Sequence, residues 1–265
     1  MKVLALAKYV PESTAQIKIK ADGSGIETTG VKFVLNPFCE FAVEFKRERE
    51  RDAAVASEFT VLTLGPPAAV EAIRNAFAMG VDHGIHLCDN LFAGIDEIAT
   101  ARVVAAAIKD RGFDLVFAGK HAIDYDSGQF GPALAECLNL PHVGAVTAIE
   151  WAAGFKSAKV RRRVEGAEEV VEISLPALVT VEKGLCEARY PSLPGLMKAK
   201  KRPVETKSAA DLGLAAADFA KESVGTWMGE FTPPPPRAAG RKLAGEPAEM
   251  AAELVRLLRE EQKLF

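Results

Sequence analysis

The chain has 265 residues, 49% of them hydrophobic and 26% charged, with a formal net charge of -3. That length suits one large α/β domain with an arm, or two small domains, and the near-neutral charge gives no reason to expect a nucleic-acid partner. Four scattered cysteines without a CxxC spacing exclude a disulfide framework, and no apolar run approaches the ~20 residues that span a bilayer, so a soluble, cytoplasmic protein is expected.

Met1 leads straight into KVLALA at 2–7, a strand-like run that leaves no room for a signal peptide. IKIKADGSGIETT at 17–29 reads as a hairpin turning at Asp22-Gly23. After VKFVL, Asn36 suits a helix N-cap, Pro37 the first helical position and Glu40 the first turn. Phe38, Phe41, Ala42 and Phe45 then keep helical spacing. FTVLTLG at 59–65 is the second buried strand, ending at Gly65-Pro66-Pro67 before a helix striped by Val70, Ile73 and Phe77. GIHLC at 84–88 and DLVFAG at 114–119 are further strands, followed by a helix carrying Phe130, Ala133, Leu134 and Cys137 on one face. Residues 156–175 resemble an antiparallel pair turning near Gly166, and PALVTVE at 176–182 is a last buried strand. Strands and helices alternating in this way predict a doubly wound, mostly parallel α/β sheet.

From about Lys198 the composition changes. MKAKKRP is basic, with Lys198, Lys200, Lys201 and Arg202 read as a solvated run or a steering patch, and 231–247 is rich in proline and glycine and predicted to run extended. The last 18 residues form an amphipathic helix with Ala251, Leu254 and Leu258 opposite Arg256, Arg259 and Glu260. Such a lone helix must dock, on its own body or on a partner subunit. The expected division is therefore an α/β domain over 1–198 and a C-terminal arm with its terminal helix over 199–265.

The stretch GKHAIDYDSGQFGPALAE at 119–136 is longer than a connection requires. In open α/β sheets, ligands lie beyond the carboxyl ends of strands. Pro132 belongs in a first helical turn, so free amides fall between Ser127 and Gly131, where with the helix dipole they suit an anion. Gly128 and Gly131 remove side chains from the path of a phosphate, while Asp124 and Asp126 suit loop-shaping or ribose contacts. The plain alternative is a glycine-containing loop capped by Asp126 or Ser127. With Asn36-Pro37-Phe38 and Gly65-Pro66-Pro67, three loops are expected on one edge of the sheet. GxGxxG, Walker A, GxSxG and metal-ligand spacings are absent from the sequence, and no nucleophile accompanies Asp124 and Asp126. The pattern is that of a protein that holds a nucleotide without making bonds. An adenine-nucleotide enzyme of the ATP-pyrophosphatase type would need a glycine-rich loop after the first strand, where KYVPEST stands, and a nucleotide sensor has little use for the PSLPG loop, within 187–197, and the tethered helix.

NPFCEFAVE at 36–44, MGVDHGIHL at 79–87, GKHAID at 119–124 and EARYPSLPGLMKAKK at 187–201 together resemble the beta subunit of electron-transfer flavoprotein. The resemblance implies a Rossmann-like, adenine-nucleotide-hydrolase-like fold. It also implies a heterodimer with an alpha subunit that holds most of a redox FAD, electron transfer from flavin dehydrogenases of the acyl-CoA dehydrogenase type to a membrane quinone oxidoreductase, and a structural AMP. By matching motif, the nucleotide pocket would take in Leu6, Asn36, Pro37, Phe38, Cys39 and Leu64. It would continue through Gly119, Lys120, His121, Ala122, Ile123 and Asp124, then Tyr125, Asp126, Ser127, Gly128, Gln129 and Phe130, with Phe38 approaching the flavin. Tyr190, Pro191, Ser192, Leu193 and Pro194 match the loop that docks dehydrogenases, with Leu193 as anchor. Gly128 and Phe130, where AMP-holding members have Asn and Thr, resemble instead the electron-bifurcating members, which carry a second FAD in the AMP position and oxidise NADH; LFAGIDEIAT at 91–100 leans the same way, whereas PSLPGLMKAKK resembles the non-bifurcating type.

Overall fold

The computed structural model describes residues 1–51, 57–220, 223–226, 228–237 and 239–265, the side chains of 47–51 excepted. Along the first part run β1 (Lys2–Leu6), β2 (Tyr9–Pro11), β3 (Lys18–Ile19), β4 (Ile26–Glu27), β5 (Phe33–Leu35) and α1 (Pro37–Arg51). Then come β6 (Glu58–Leu64), α2 (Val70–Ala78), β7 (His83–Leu87), α3 (Glu97–Ile108), β8 (Leu115–Gly119) and α4 (Phe130–Leu138). The remainder holds β9 (His142–Trp151), β10 (Ser157–Val164), β11 (Ala167–Ser174), β12 (Ala177–Val181), α5 (Leu193–Ala199), β13 (Glu205–Lys207) and α6 (Pro247–Glu260).

The main sheet has nine strands in the order β11-β10-β9-β12-β8-β1-β6-β7-β13. All neighbours from β9 to β13 are parallel, and β10 and β11 extend one edge as an antiparallel hairpin. The continuous apolar runs are explained by burial on both faces. Val3, Ala5, Phe59, Val61, Phe117 and Val179 share a core with Ala42, Val43, Phe45, Ile73 and Phe77 of α1 and α2. Leu4, Leu62, Ile85, Val116 and Leu178 point the other way, towards Val103, Val104 and Ile108 of α3 and Leu134 of α4. The fold is thus the expected doubly wound α/β sheet. The chain starts in the middle at β1, steps to β6 and β7, then returns to β8 on the other side of β1. The strand order therefore reverses between β1 and β8, which is where such sheets open a crevice.

Several expectations are corrected. VKFVL does not enter the main sheet: β5 pairs antiparallel with β2 in a separate two-stranded ribbon. α3 escapes the periodicity because Ala99, Ala101, Val103, Val104, Ala105, Ala107 and Ile108 are all buried, leaving no narrow stripe. β9 is masked in the sequence by Gly144 and by Ala145, whose φ of 59° breaks the regular strand pattern. The body does not end at residue 198, since Glu205–Lys207 pair with Ile85–Leu87 and Ala209 is buried in the core beyond them. Arg202 is not a solvated member of the basic run: it donates to the carbonyls of Val81 and Asp82 and lies 4.1 Å from the Phe77 ring centroid. The 231–247 stretch is largely without regular structure among its described residues, with Ala238 outside them, and α6 buries none of its residues. Among the described residues no helix is long and apolar enough to cross a membrane.

Candidate functional site: the carboxyl edge of the sheet

Two segments meet at the reversal point. The first is the run leaving β1, Ala7 and Lys8, and the second is the 120–129 loop leaving β8. Lys8 Nζ lies 2.8 Å from Asp124 Oδ2 and 4.3 Å from the Tyr125 ring centroid, so one cation bridges the two segments. Asn36, 1% exposed, brings in the start of α1. Its Nδ2 donates to the His121 carbonyl at 2.9 Å, its Oδ1 accepts from Ile123 N at 3.3 Å, and its own amide donates to the Lys8 carbonyl at 2.9 Å. Two of the three loops expected on one edge, 119–136 and Asn36-Pro37-Phe38, are therefore joined, although the Asn36 loop arrives from the β2–β5 ribbon and not from the parallel sheet. The third, at Gly65, bonds instead to the end of β7, its amide donating to the Leu87 carbonyl at 3.0 Å.

Gly119 is what lets α1 come so close. A Cβ there would stand 2.9 Å from the Phe38 Cβ and 3.2 Å from Asn36 Nδ2. The Phe38 ring rests edge-on against His121, with centroids 4.1 Å apart. Cys39 is buried, and burial pushes its thiol up, so it packs as an inert small hydrophobe. Leu6 is buried at the end of β1 and Leu64 half-buried at the end of β6, both facing the second core. Pro37 is exposed at the helix start.

The charged side chains of the 120–129 loop face partners within the chain. Lys120 Nζ reaches Glu182 Oε2 at 3.4 Å, and His121 Nδ1 reaches Asp126 Oδ1 at 3.2 Å. Ala122 closes the turn by accepting from Asp126 N at 2.8 Å, and Asp126 takes a left-handed φ of 55°. Tyr125 is half exposed; burial first, then the carboxylates of Asp124 and Glu97, push its hydroxyl up, and that hydroxyl lies 3.3 Å from Met228 Sδ.

At the start of α4, neither Asp126 nor Ser127 caps the helix. Glu97, from the first turn of α3, does so instead. Its Oε2 accepts from Gln129 N and from Phe130 N, each at 3.1 Å, and from the Ser127 hydroxyl. The free amides expected between Ser127 and Gly131 thus exist, and a carboxylate of the same chain sits on them. Gly131 serves packing here and not ligand approach: a Cβ there would fall 2.3 Å from Thr180 Cγ2 on β12. Glu97 was missed in the sequence because α3 was; the only hint is the acidic pair Asp96-Glu97 at a helix start.

The arm crosses this edge. Ser223 O accepts from Arg102, Thr226 N donates to Asp96 Oδ2 at 2.8 Å, Met228 meets Tyr125, and Phe231 N donates to Gly23 O at 3.0 Å. For a phosphate-bearing nucleotide, the geometry of the donors fits while the charge is already balanced. The amides point to one place, and that place holds a carboxylate.

The segment expected to dock dehydrogenases lies elsewhere. Ser192 caps α5 by accepting from Gly195 N at 3.2 Å, so Leu193 and Pro194 open a short helix and do not stand inside a loop. Tyr190 is 100% exposed, Leu193 77% and Met197 72%. Arg189 Nε, at the base of the motif, lies 2.5 Å from Glu44 Oε1 on α1.

The family model for the electron transfer flavoprotein domain matches residues 24–212. Among curated relatives, the electron transfer flavoprotein subunit beta of Bacillus subtilis is 40% identical over 251 residues, covering 94% of each chain. Its counterpart in Mus musculus is 37% identical over 262 residues, covering 98% of this chain and 97% of the other. The mitochondrial subunit beta of Arabidopsis thaliana is 34% identical over 240 residues, covering 91% and 92%. With a sheet reversed at β1 and β8 and a matching length, the chain belongs to the electron transfer flavoprotein family as a beta subunit.

Proposed function

We propose that this chain pairs with an electron transfer flavoprotein alpha subunit, completes the site of a FAD held mostly by that subunit, and carries an AMP at its own carboxyl edge. The observation that carries the reading is the joined edge itself: Asn36 locks the 120–129 loop against α1, which leaves Phe38 half-buried beside His121 at the mouth of the reversal point. When bound, the flavin supplies the electron-carrying chemistry. The chain's own residues hold, orient and dock. Phe38 offers an aromatic surface to the flavin, and Tyr125, Asp126 and the backbone of 119–130 line the adenylate. Tyr190 and Leu193 meet flavin dehydrogenases of the acyl-CoA dehydrogenase type, and the acceptor is a membrane quinone oxidoreductase. The exposed side chains Leu254, Val255, Leu264 and Phe265 on and after α6 support docking on the alpha subunit, because a bare apolar stripe on a tether gains its burial from a second chain. The relatives are named as electron transfer flavoprotein subunits, so we read a carrier subunit and not an enzyme in its own right. Free cysteines at 39, 88, 137 and 186 support a reducing compartment, which we take to be the cytoplasm.

Expressed alone, the chain is expected to be colourless; co-expressed with its alpha subunit, it is expected to give a yellow heterodimer. Releasing the nucleotides by denaturation and counting them is expected to give one FAD per pair, with AMP as the other adenine compound. Two FAD and no AMP would replace this reading with the bifurcating, NADH-oxidising one, which the absence of a side chain at Gly128 favours by leaving room beside the loop. A monomeric chain that is yellow by itself would overturn both.

A further inference from the structure

At the start of α4 three donors converge on a single carboxylate oxygen. Glu97 Oε2 takes the amides of Gln129 and Phe130 and the hydroxyl of Ser127. A helix N-terminus prefers an anion, and charge-assisted bonds of this kind are roughly twice as strong as neutral ones. Glu97 is not needed as the cap of its own helix, because Asp96 fills that role by accepting from Ala99 N at 2.7 Å. The lysines near the loop are also committed. Lys8 pairs with Asp124 and Lys120 with Glu182, and the His121 ring faces Asp126, so among the described residues of this loop no lysine is left over for a phosphate. A phosphate arriving at α4 would meet a carboxylate where it needs donors, at a distance where like charges repel.

We propose that Glu97 is a specificity-determining residue of the adenylate edge: its carboxylate stands in for the nucleotide's phosphate at the α4 N-terminus, so that this chain recognises the adenosine part of its ligand and gains nothing from the phosphate. The inference rests on the proposed adenylate reading of this edge and deepens it. Adenine and ribose keep their contacts with the 120–129 backbone and with the Tyr125 side of the loop. The phosphate either points to solvent or displaces Glu97, and displacing it returns a carboxylate to water at the expense of three hydrogen bonds.

The test uses the heterodimer with its alpha subunit, dialysed and titrated calorimetrically with AMP and with adenosine. The wild-type complex is expected to lose AMP on dialysis and to bind AMP no more tightly than adenosine. In E97A the amides are released, and AMP affinity is expected to rise about tenfold or more while adenosine affinity stays level. E97Q keeps the side chain's shape and its accepting oxygen without the charge. It guards against a folding defect and is expected to fall between the two. AMP retained at one per wild-type pair after dialysis, or an AMP-to-adenosine ratio that E97A and E97Q leave unchanged while adenosine binds, would overturn the role of Glu97 and leave the adenylate site standing. Binding of neither compound to any of the three forms would overturn the adenylate reading together with it.

Discussion

The carboxyl edge and the outer apolar surfaces treat their unsatisfied groups in opposite ways. At the edge, Asn36 spends both ends of its amide on the 120–129 loop, Glu97 covers the α4 amides, and Lys8, Lys120 and His121 each face a carboxylate. On the surfaces, Tyr190, Leu193 and Met197 stand bare, and α6 buries nothing. A buried polar group without a partner costs about 1–3 kcal/mol, so a polar crevice has to close its hydrogen bonds within the chain. An apolar side chain left in water forgoes a gain without breaking anything, and single exposed ones are common. A polar crevice therefore looks satisfied and a bare apolar face looks unfinished, and each has to be recognised by a different sign.

The largest effect should come from breaking the closed side at its hub. Asn36→Ala removes the acceptor for Ile123 N and the donor to the His121 carbonyl in a site closed to water. A loss of about 3 kcal/mol is expected from the two orphaned backbone groups, read as a lower urea midpoint with an unchanged slope. The flavin content of the heterodimer should fall with it, because Phe38 is positioned by the same junction. A change under about 1 kcal/mol would mean that water satisfies those groups and that the edge is open rather than closed.

The same contrast explains what was legible in the sequence. The buried parallel strands were, because burial on both faces writes continuous apolar runs that no surface segment carries. α1, α2 and α4 were, because each covers the sheet with one stripe. α3 was not, since it is buried nearly all round, and with it went Glu97, whose role depends on two helices 30 residues apart meeting end to end. Asn36 was legible only as a helix start. Its second use, gripping a loop 85 residues away, has no local signature. Arg202 looked like one more surface cation until its carbonyl partners at the end of α2 were visible. Local chemistry announces the elements, and long-range polar pairing stays silent.

A medium effect is expected from the open side. Leu193→Ala removes a knob that touches little of its own chain, so folding stability and flavin content should not change. The rate of electron transfer from a cognate dehydrogenase should fall about tenfold at sub-saturating carrier, as expected for losing roughly 1.5 kcal/mol of buried leucine surface at a docking centre. The base of the motif is held separately by the Arg189–Glu44 ion pair, which the substitution leaves in place. Loss of flavin in this variant would show that the segment braces the fold and is no free knob.

The smallest effect sits where the two regimes touch. Asp96 caps α3 and also holds the arm, through Thr226 N at 2.8 Å and Thr226 Oγ1 at 3.3 Å. Burial works against its charge, but hydrogen bonds from Ala99, Thr226 and Gly225 outweigh it and hold the carboxyl below the usual range. A carboxylate depressed in the folded state adds stability that is fully present above its unfolded value of roughly 4 and is lost as the pH falls through its lower folded value. The arm should therefore stay pinned at neutral pH and loosen only under acid, with a contribution below about 1 kcal/mol because the carboxylate is only partly shielded from solvent. Amide exchange at Thr226 is the probe: its protection should decline below about pH 4 in the wild type. In Asp96→Asn it should be low at every pH, since the amide oxygen caps without charge. Protection that is flat with pH in the wild type would mean that the arm is held by its contacts with Tyr125 and Gly23 alone, and that the strap over the edge belongs to the closed regime rather than to the hinge between the two.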